Sequence, residues 1–300
     1  MADLASEQTA TVPGDVVALL ESSRVNSPAA GMGYIAGAFV VLVLASMYAA
    51  SRPEPAMAIL RGAAAMGMLG LLGLMVCRTW LATRGVRLER QQLLAIEELV
   101  QLRRWAQAAA MLDEVLARPM RTPPGRAQAL IYLGTVLARY HRFADAASVY
   151  EHLLETESMD EQSAHSVRLG RAMAILRDDR LFDADRAISE LRRSPQAPQS
   201  GGLALLEIYR HVKTGHPHEA VELFEQRLPM MRQQLGVRVG DAHALAARAY
   251  DLLGHGERAA GHYLDATTLC PPEELRRRYP EVAALEGRYE PASVPAEVRA

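Results

Sequence analysis

The apolar residues of this chain follow two different rules. Between Val25 and Ser51 no position is charged. The centre of that stretch, Gly31–Ala50 (GMGYIAGAFVVLVLASMYAA), is long enough as a helix to cross a bilayer. A second uncharged run, Gly62–Cys77 (GAAAMGMLGLLGLMVC), is flanked by Arg61 and Arg78. Its sixteen residues rise only about 24 Å, and the two arginines can snorkel to the interfaces and extend the span. From about residue 89 onward the rule changes. Apolar positions recur every three or four residues between charged ones, as in helices with one buried face. The pattern predicts an all-α protein. An N-terminal transmembrane helical hairpin, with helices at about 31–50 and 60–81, precedes an α-solenoid over 89–272. Residues 1–30 read as a polar, largely disordered segment with a brief helix opening at Pro13, and 273–300 as a capping helix and loose tail.

Several features bear on the hairpin. Ser51–Pro55 (SRPEP) carries two prolines that cannot continue a helix, so it marks the tip. The thirty residues before the first run hold four acids and only Arg24, the wrong flank for a signal peptide. Tyr34, Tyr48 and Trp80 stand where an interfacial belt belongs. Gly33 and Gly37, and Ala63, Gly67, Gly70, Gly73 and Cys77, offer small faces for close helix contact, although such residues are common in membrane helices anyway. Arg78, Arg84, Arg87 and Arg90 cluster just after the second run. Positive residues stay inside, so the part after 90 is expected in the cytoplasm at a bacterial inner membrane, whether one run crosses or both do.

In the second region one pattern is written repeatedly. Arg104–Ala117 (RWAQAAAMLDEVLA) and Arg142–Glu155 (RFADAASVYEHLLE) share an aromatic residue, an early alanine and a large residue four places on. The alanines Ala108, Ala146, Ala184, Ala220 and Ala259 are spaced by 38, 38, 36 and 39 residues. Four beyond each stands Leu112, Tyr150, Ile188, Phe224 or Tyr263. An apolar helical pattern precedes each alanine, so every unit reads as a pair of helices. One pair cannot bury both its apolar faces alone, and consecutive pairs must stack.

Leu130–Leu154 (LIYLGTVLARYHRFADAASVYEHLL) resembles the tetratricopeptide repeat (TPR) family at Leu133–Gly134, Ala146 and Tyr150. The last unit is similar at Tyr250, Gly254, Ala259, Tyr263, Ala266 and Pro271. The first unit keeps its second-helix pattern and Pro119. In the third, Leu169–Gly170 sit two residues early, so its turn, Asp178–Phe182 (DDRLF), is expected to be lengthened. The resemblance implies a TPR-like solenoid of about five helix pairs, with a groove lined by first helices that takes a partner's peptide or helix. By position, Thr135, Arg139, Arg168, Tyr209 and Arg248 would face that groove. The family's Lys and Asn pattern for gripping a C-terminal carboxylate is not present.

Composition and chemistry narrow the reading further. A formal net charge of -2 at pH 7 speaks against general nucleic-acid binding. Cys77 and Cys270 support neither a disulfide framework nor a metal quartet, and Cys77 reads as a small buried hydrophobe. His216 and His218 flank Pro217 in a turn with no further ligand in view. Asp178, Asp179, Asp183 and Asp185 alternate with Arg177, Arg180 and Arg186, which reads as a salt-bridged turn. No phosphate loop or nucleophile motif stands out, so no enzyme activity, cofactor, metal or small-molecule substrate is expected. The expectation is a membrane-anchored scaffold that recruits proteins on the cytoplasmic face. The alternative is an accessory subunit of a membrane enzyme or transporter, docked through its hairpin.

Overall fold

The computed structural model describes residues 15–25, 55–157 and 159–289, with the scattered helical positions 37, 39–41, 43, 44 and 47. Every regular element among the described residues is helical. The chain divides into two compact units, Met1–Val136 and Leu137–Ala300.

The first unit opens with α1 (Val16–Ser22). Asp15 caps it, its carboxylate accepting from the Ala18 amide at 3.1 Å. The short apolar turn noted in the sequence packs rather than dangles: Val16, Leu19 and Leu20 are buried. Helix α2 (Pro55–Gln101) is 47 residues long, about 70 Å at 1.5 Å per residue. It is followed by α3 (Trp105–Leu116), which packs on both α1 and α2. Within α2, the stretch Ala65–Gln101 is the one described helix long and apolar enough to cross a membrane. Its apolar window has a mean hydropathy of 1.5 and buries none of its residues. Met66, Leu69 and Val76 are 62–71% exposed. Cys77 lies exposed on this helix, not buried. The first apolar run, the SRPEP tip and the contact between the two runs fall largely outside the described residues.

α2 continues unbroken through residues 81–89, where the sequence suggested a border. Thr83–Gln92 (TRGVRLERQQ) contains one glycine and no proline, and its Arg, Leu, Glu and Gln favour helix. The apolar helix and the first helix of the first pair are therefore one rod. At its far end the apolar surface narrows to one face, with Ile96 fully buried. Glu89 is buried too, accepting from the Arg121 amide at 2.7 Å and the Thr122 hydroxyl at 2.5 Å. It thereby fixes the loop between α3 and α4 (Pro123–Arg139), which spans the division between the units.

The repeat is visible in its turns. Arg103, His141, Asp179, Gly215 and Gly254 all adopt left-handed backbone, with φ of 58°, 59°, 61°, 77° and 79°. The next residue's amide in each case reaches back five places, as in Arg104 to the Leu99 carbonyl and His255 to the Tyr250 carbonyl, both at 2.8–2.9 Å. This is one helix-ending motif used five times. The alanines Ala108, Ala146, Ala184, Ala220 and Ala259 follow at the fifth place after each left-handed residue. Their amides bond to Arg104, Arg142, Arg180, His216 and His255. All five are fully buried, and Leu112, Tyr150, Ile188, Phe224 and Tyr263 are at most 6% exposed.

The third turn is consequently not lengthened: Asp178–Arg180 has the same form as the other four. Leu169–Gly170 do not take the place that Leu133–Gly134 hold in the second helix pair. Ala172, fully buried twelve residues before Ala184, takes the position that Gly134 holds before Ala146. A side chain on Gly170 would meet the Tyr150 ring at 3.1 Å, so its smallness serves the neighbouring pair instead. The residues beyond a 34-residue period lie between pairs and in longer helices, including α9 with Pro229 inside it.

In the second unit α5 (Phe143–Thr156), α6 (Glu161–Arg177), α7 (Leu181–Arg192), α8 (Gly201–Lys213), α9 (Pro217–Gln234), α10 (Val239–Leu252) and α11 (Gly256–Leu269) pack in chain order. The first helices also touch each other, α6 to α8 and α8 to α10, as stacked pairs require. The unit ends with α12 (Pro272–Arg278) and a 3₁₀ turn, Pro280–Leu285.

Candidate functional site

The last described stretch, Pro272–Tyr289, does not merely cap an end. It lies along the first helices of the second unit. Pro271 and Pro272 stop α11 and start α12, and Pro280 breaks it after two turns. That break turns Tyr279 inward, where it is fully buried. Its ring meets the Tyr209 ring of α8 edge-on at 5.0 Å, and the Arg177 guanidinium of α6 lies 5.2 Å from its centre. Its hydroxyl donates to Asp241 of α10 at 3.3 Å. Burial pushes the hydroxyls of Tyr279 and Tyr209 above the usual phenol range.

Ion pairs hold the segment on either side of this aromatic knob. Glu274 pairs with Arg139 at 3.1 Å, both side chains at most 14% exposed. Arg278 joins Asp241 at 2.9 Å and Glu274 at 3.1 Å. Glu281 faces Lys213 at 3.7 Å, and accepts from the Tyr209 hydroxyl at 3.4 Å. Further on, Arg288 and the Tyr289 hydroxyl both donate to Asp251, at 2.6 and 2.9 Å. Asp241 is fully buried, so its partners are what make its charge tolerable there.

The five residues expected to face a groove fare differently. Arg139 and Tyr209 both meet the chain's own C-terminal segment, and Arg248 pairs with an acid that the segment also reaches. Tyr209 is fully buried and belongs to the core beneath Tyr279, so it is not a free groove contact. Arg139 is committed to Glu274. Arg248 pairs at 2.8 Å with Asp251, the acid that also receives Arg288. Arg168 pairs with Glu161 of its own helix at 2.9 Å. Thr135 lies in the first unit and donates to the Ile131 carbonyl at 2.9 Å. Sequence reasoning missed Arg177, Lys213, Asp241 and Asp251 as members of this face. The one available signal was an aromatic residue before a proline in a charged segment after the last repeat.

The acidic run behaves as a salt-bridged turn. Arg180 pairs with Asp183, Lys213 with Asp179, and Arg210 with Asp185, at 2.6–2.8 Å. His216 sits in its turn with Thr214 at 2.9 Å.

Comparison with protein families and with curated proteins finds no match. Three solved structures are similar in fold. A thermophilic TPR protein of Thermus thermophilus matches over 66% of this chain and 100% of its own, with 19% identity and a TM-score of 0.48. MamA of MSR-1 matches over 62% and 96%, with 16% identity and a TM-score of 0.38. YrrB, described as a TPR protein with an unusual peptide-binding site, matches over 61% and 87%, with 14% identity and a TM-score of 0.35.

Proposed function

We propose that this protein is a membrane-anchored helix-pair scaffold that holds a partner's protein segment on the first-helix face of its cytoplasmic repeats. Its role is recruitment, in the assembly or regulation of a membrane complex. The observation that carries the reading is the chain's own segment Pro272–Tyr289. A short stretch bearing one aromatic knob between charged residues is held there by Tyr209, Arg177, Asp241, Arg139, Lys213 and Asp251. A face that accepts such a segment in cis has the chemistry to accept one in trans, as helix-in-groove recognition requires.

Two features support the anchor. The apolar window of α2 is unburied along its length, although large exposed apolar stretches are costly in water. The arginines that follow it favour the cytoplasmic side for everything after residue 90. The contacts of α1 speak for an even number of crossings. α1 precedes the first apolar run, yet the Ser22 hydroxyl donates to the Leu116 carbonyl of α3 at 2.8 Å. Arg126 of α4 donates to the Leu20 carbonyl at 3.0 Å. These contacts between the chain before and after the apolar region support a hairpin over a single span.

The accessory-subunit reading rests on the exposed residues Leu69, Leu72, Met75 and Val76, a surface that other membrane helices could cover. One comparison separates the two. The full chain and a chain ending at Pro271 are titrated with a labelled peptide of sequence Pro272–Tyr289. The scaffold reading expects binding to the shortened chain, competition with captured partners, and loss of both on Lys213→Glu. Capture that depends only on the identity of the apolar helices would replace it with the accessory-subunit reading.

A further inference from the structure

We infer that His243, His262 and Asp265 form a binding site for one divalent transition-metal ion of the zinc class, between α10 and α11. Among the described residues these three form the one His/Cys/Asp/Glu group whose ligating atoms converge, all within 4.8 Å of one another. The Nδ1 atoms of His243 and His262 lie 3.1 Å apart. Asp265 Oδ2 is 3.5 Å from the first and 3.9 Å from the second. The point in their plane equidistant from all three atoms is about 2.0 Å from each, within the range of zinc bonds to imidazole nitrogen and carboxylate oxygen. Two imidazoles and one carboxylate suit Zn²⁺, Co²⁺ or Ni²⁺ rather than Ca²⁺ or Mg²⁺.

The fold builds this arrangement from the helix register. His262 and Asp265 are three apart on α11 and so share a face. His243 comes from α10, packed against α11. Phe224 of α9 meets both imidazoles edge-on, at 5.3 and 5.1 Å, and Tyr250 stacks on His262 at 5.2 Å and 16°. These rings fix the two ligands on the inner side. The outer side is open, with the Asp265 side chain 57% exposed, leaving a fourth position for water or a ligand group.

Burial holds both imidazoles below their ordinary titration range, so they are neutral near pH 7 with lone pairs to give. The charged groups facing them are Asp265, Glu225, Arg232 and Arg258. Without metal, one Nδ1–H donates to the other Nδ1. With metal, that ring carries its proton on Nε2 instead, and neither ring changes charge.

The sequence reading named no metal ligands, because nineteen residues separate the two histidines and they share no motif. The site does not depend on whether the first-helix face binds a partner.

The test uses the full chain in detergent, stripped with a chelator and dialysed against Zn²⁺ alone. One zinc per chain is expected by elemental analysis, with a thermal midpoint that rises with zinc concentration. His262→Gln should abolish binding. Asp265→Asn, at an exposed position that leaves the core intact, should weaken it at least about tenfold. The ¹⁵N shifts of both imidazoles should move as Nδ1 is taken up. Zinc below half an equivalent, or zinc retained equally by His262→Gln and Asp265→Asn, overturns the site and leaves a neutral histidine pair sharing a proton.

Discussion

At the scale of single residues, the five alanines decide the register. Each is the fifth residue after a left-handed turn, and each is fully buried where its helix enters the stack. Leu at Ala146 or Ala259 would overpack a contact with no spare room, at a cost of about 1–3 kcal/mol. Ala138 keeps partial exposure, and the same change there should cost much less. Thermal midpoints of the three variants check this, and equal losses would break the register. The buried imidazoles make a second prediction. Burial lowers the proton affinity of His243 and His262 in the fold, so the unfolded chain binds protons more readily. Stability is then complete above the unfolded value, about pH 6.5, and falls as pH drops from there towards the folded values. Metal-free protein should melt at lower temperature near pH 5.5 than near pH 7.5. The double variant His243→Phe with His262→Phe should lose less over the same range.

At the scale of elements, the C-terminal segment changes what the first helices can do. Arg139 and Glu274 form a largely buried pair, so Arg139→Glu strands two carboxylates together and should cost about 3 kcal/mol. Reversing both partners, with Glu274→Arg, should restore much of the loss in thermal melts. Tyr279→Ala removes a fully buried ring and should cost about 3 kcal/mol while raising affinity for the added Pro272–Tyr289 peptide. Unchanged affinity would mean that the segment does not guard this face. The helix pairs themselves were legible in the sequence, because burying one face of each helix imposes a periodic pattern. The turn at Asp179 was not, since Asp there does the work that Gly215 and Gly254 advertise. Nor was the cover over Tyr209. Which surface a charged, proline-broken segment lies on depends on complementary charges spread over α6, α8 and α10, and no local pattern encodes that.

At the scale of the whole molecule, the proposed anchor makes a topology that can be tested. α2 is about 70 Å long, more than twice the roughly 30 Å hydrocarbon core, so if its apolar part spans a bilayer one end must project well into water. That end would be the C-terminal one, where Ile96 is buried and Glu89 is buried against the loop that follows α3. Under the proposed topology, Arg78, Arg84, Arg87 and Arg90 would keep that end in the cytoplasm. α1 then fixes the other strand of the argument. Through Ser22 and Arg126 it is held against α3 and α4, so in the proposed topology the residues before the first apolar run would lie on the same side as α3 and α4. Reporters fused at the N-terminus and after Ala300 should both read as cytoplasmic, and one inserted at Arg52 as periplasmic. The protein should also resist alkaline carbonate extraction, since two apolar runs inserted in lipid would bury far more surface than a peripheral helix does. A cytoplasmic reading at Arg52 would remove the hairpin. A periplasmic reading at the N-terminus would remove the docking of α1, because a helix outside the membrane cannot donate from Ser22 to a carbonyl inside it.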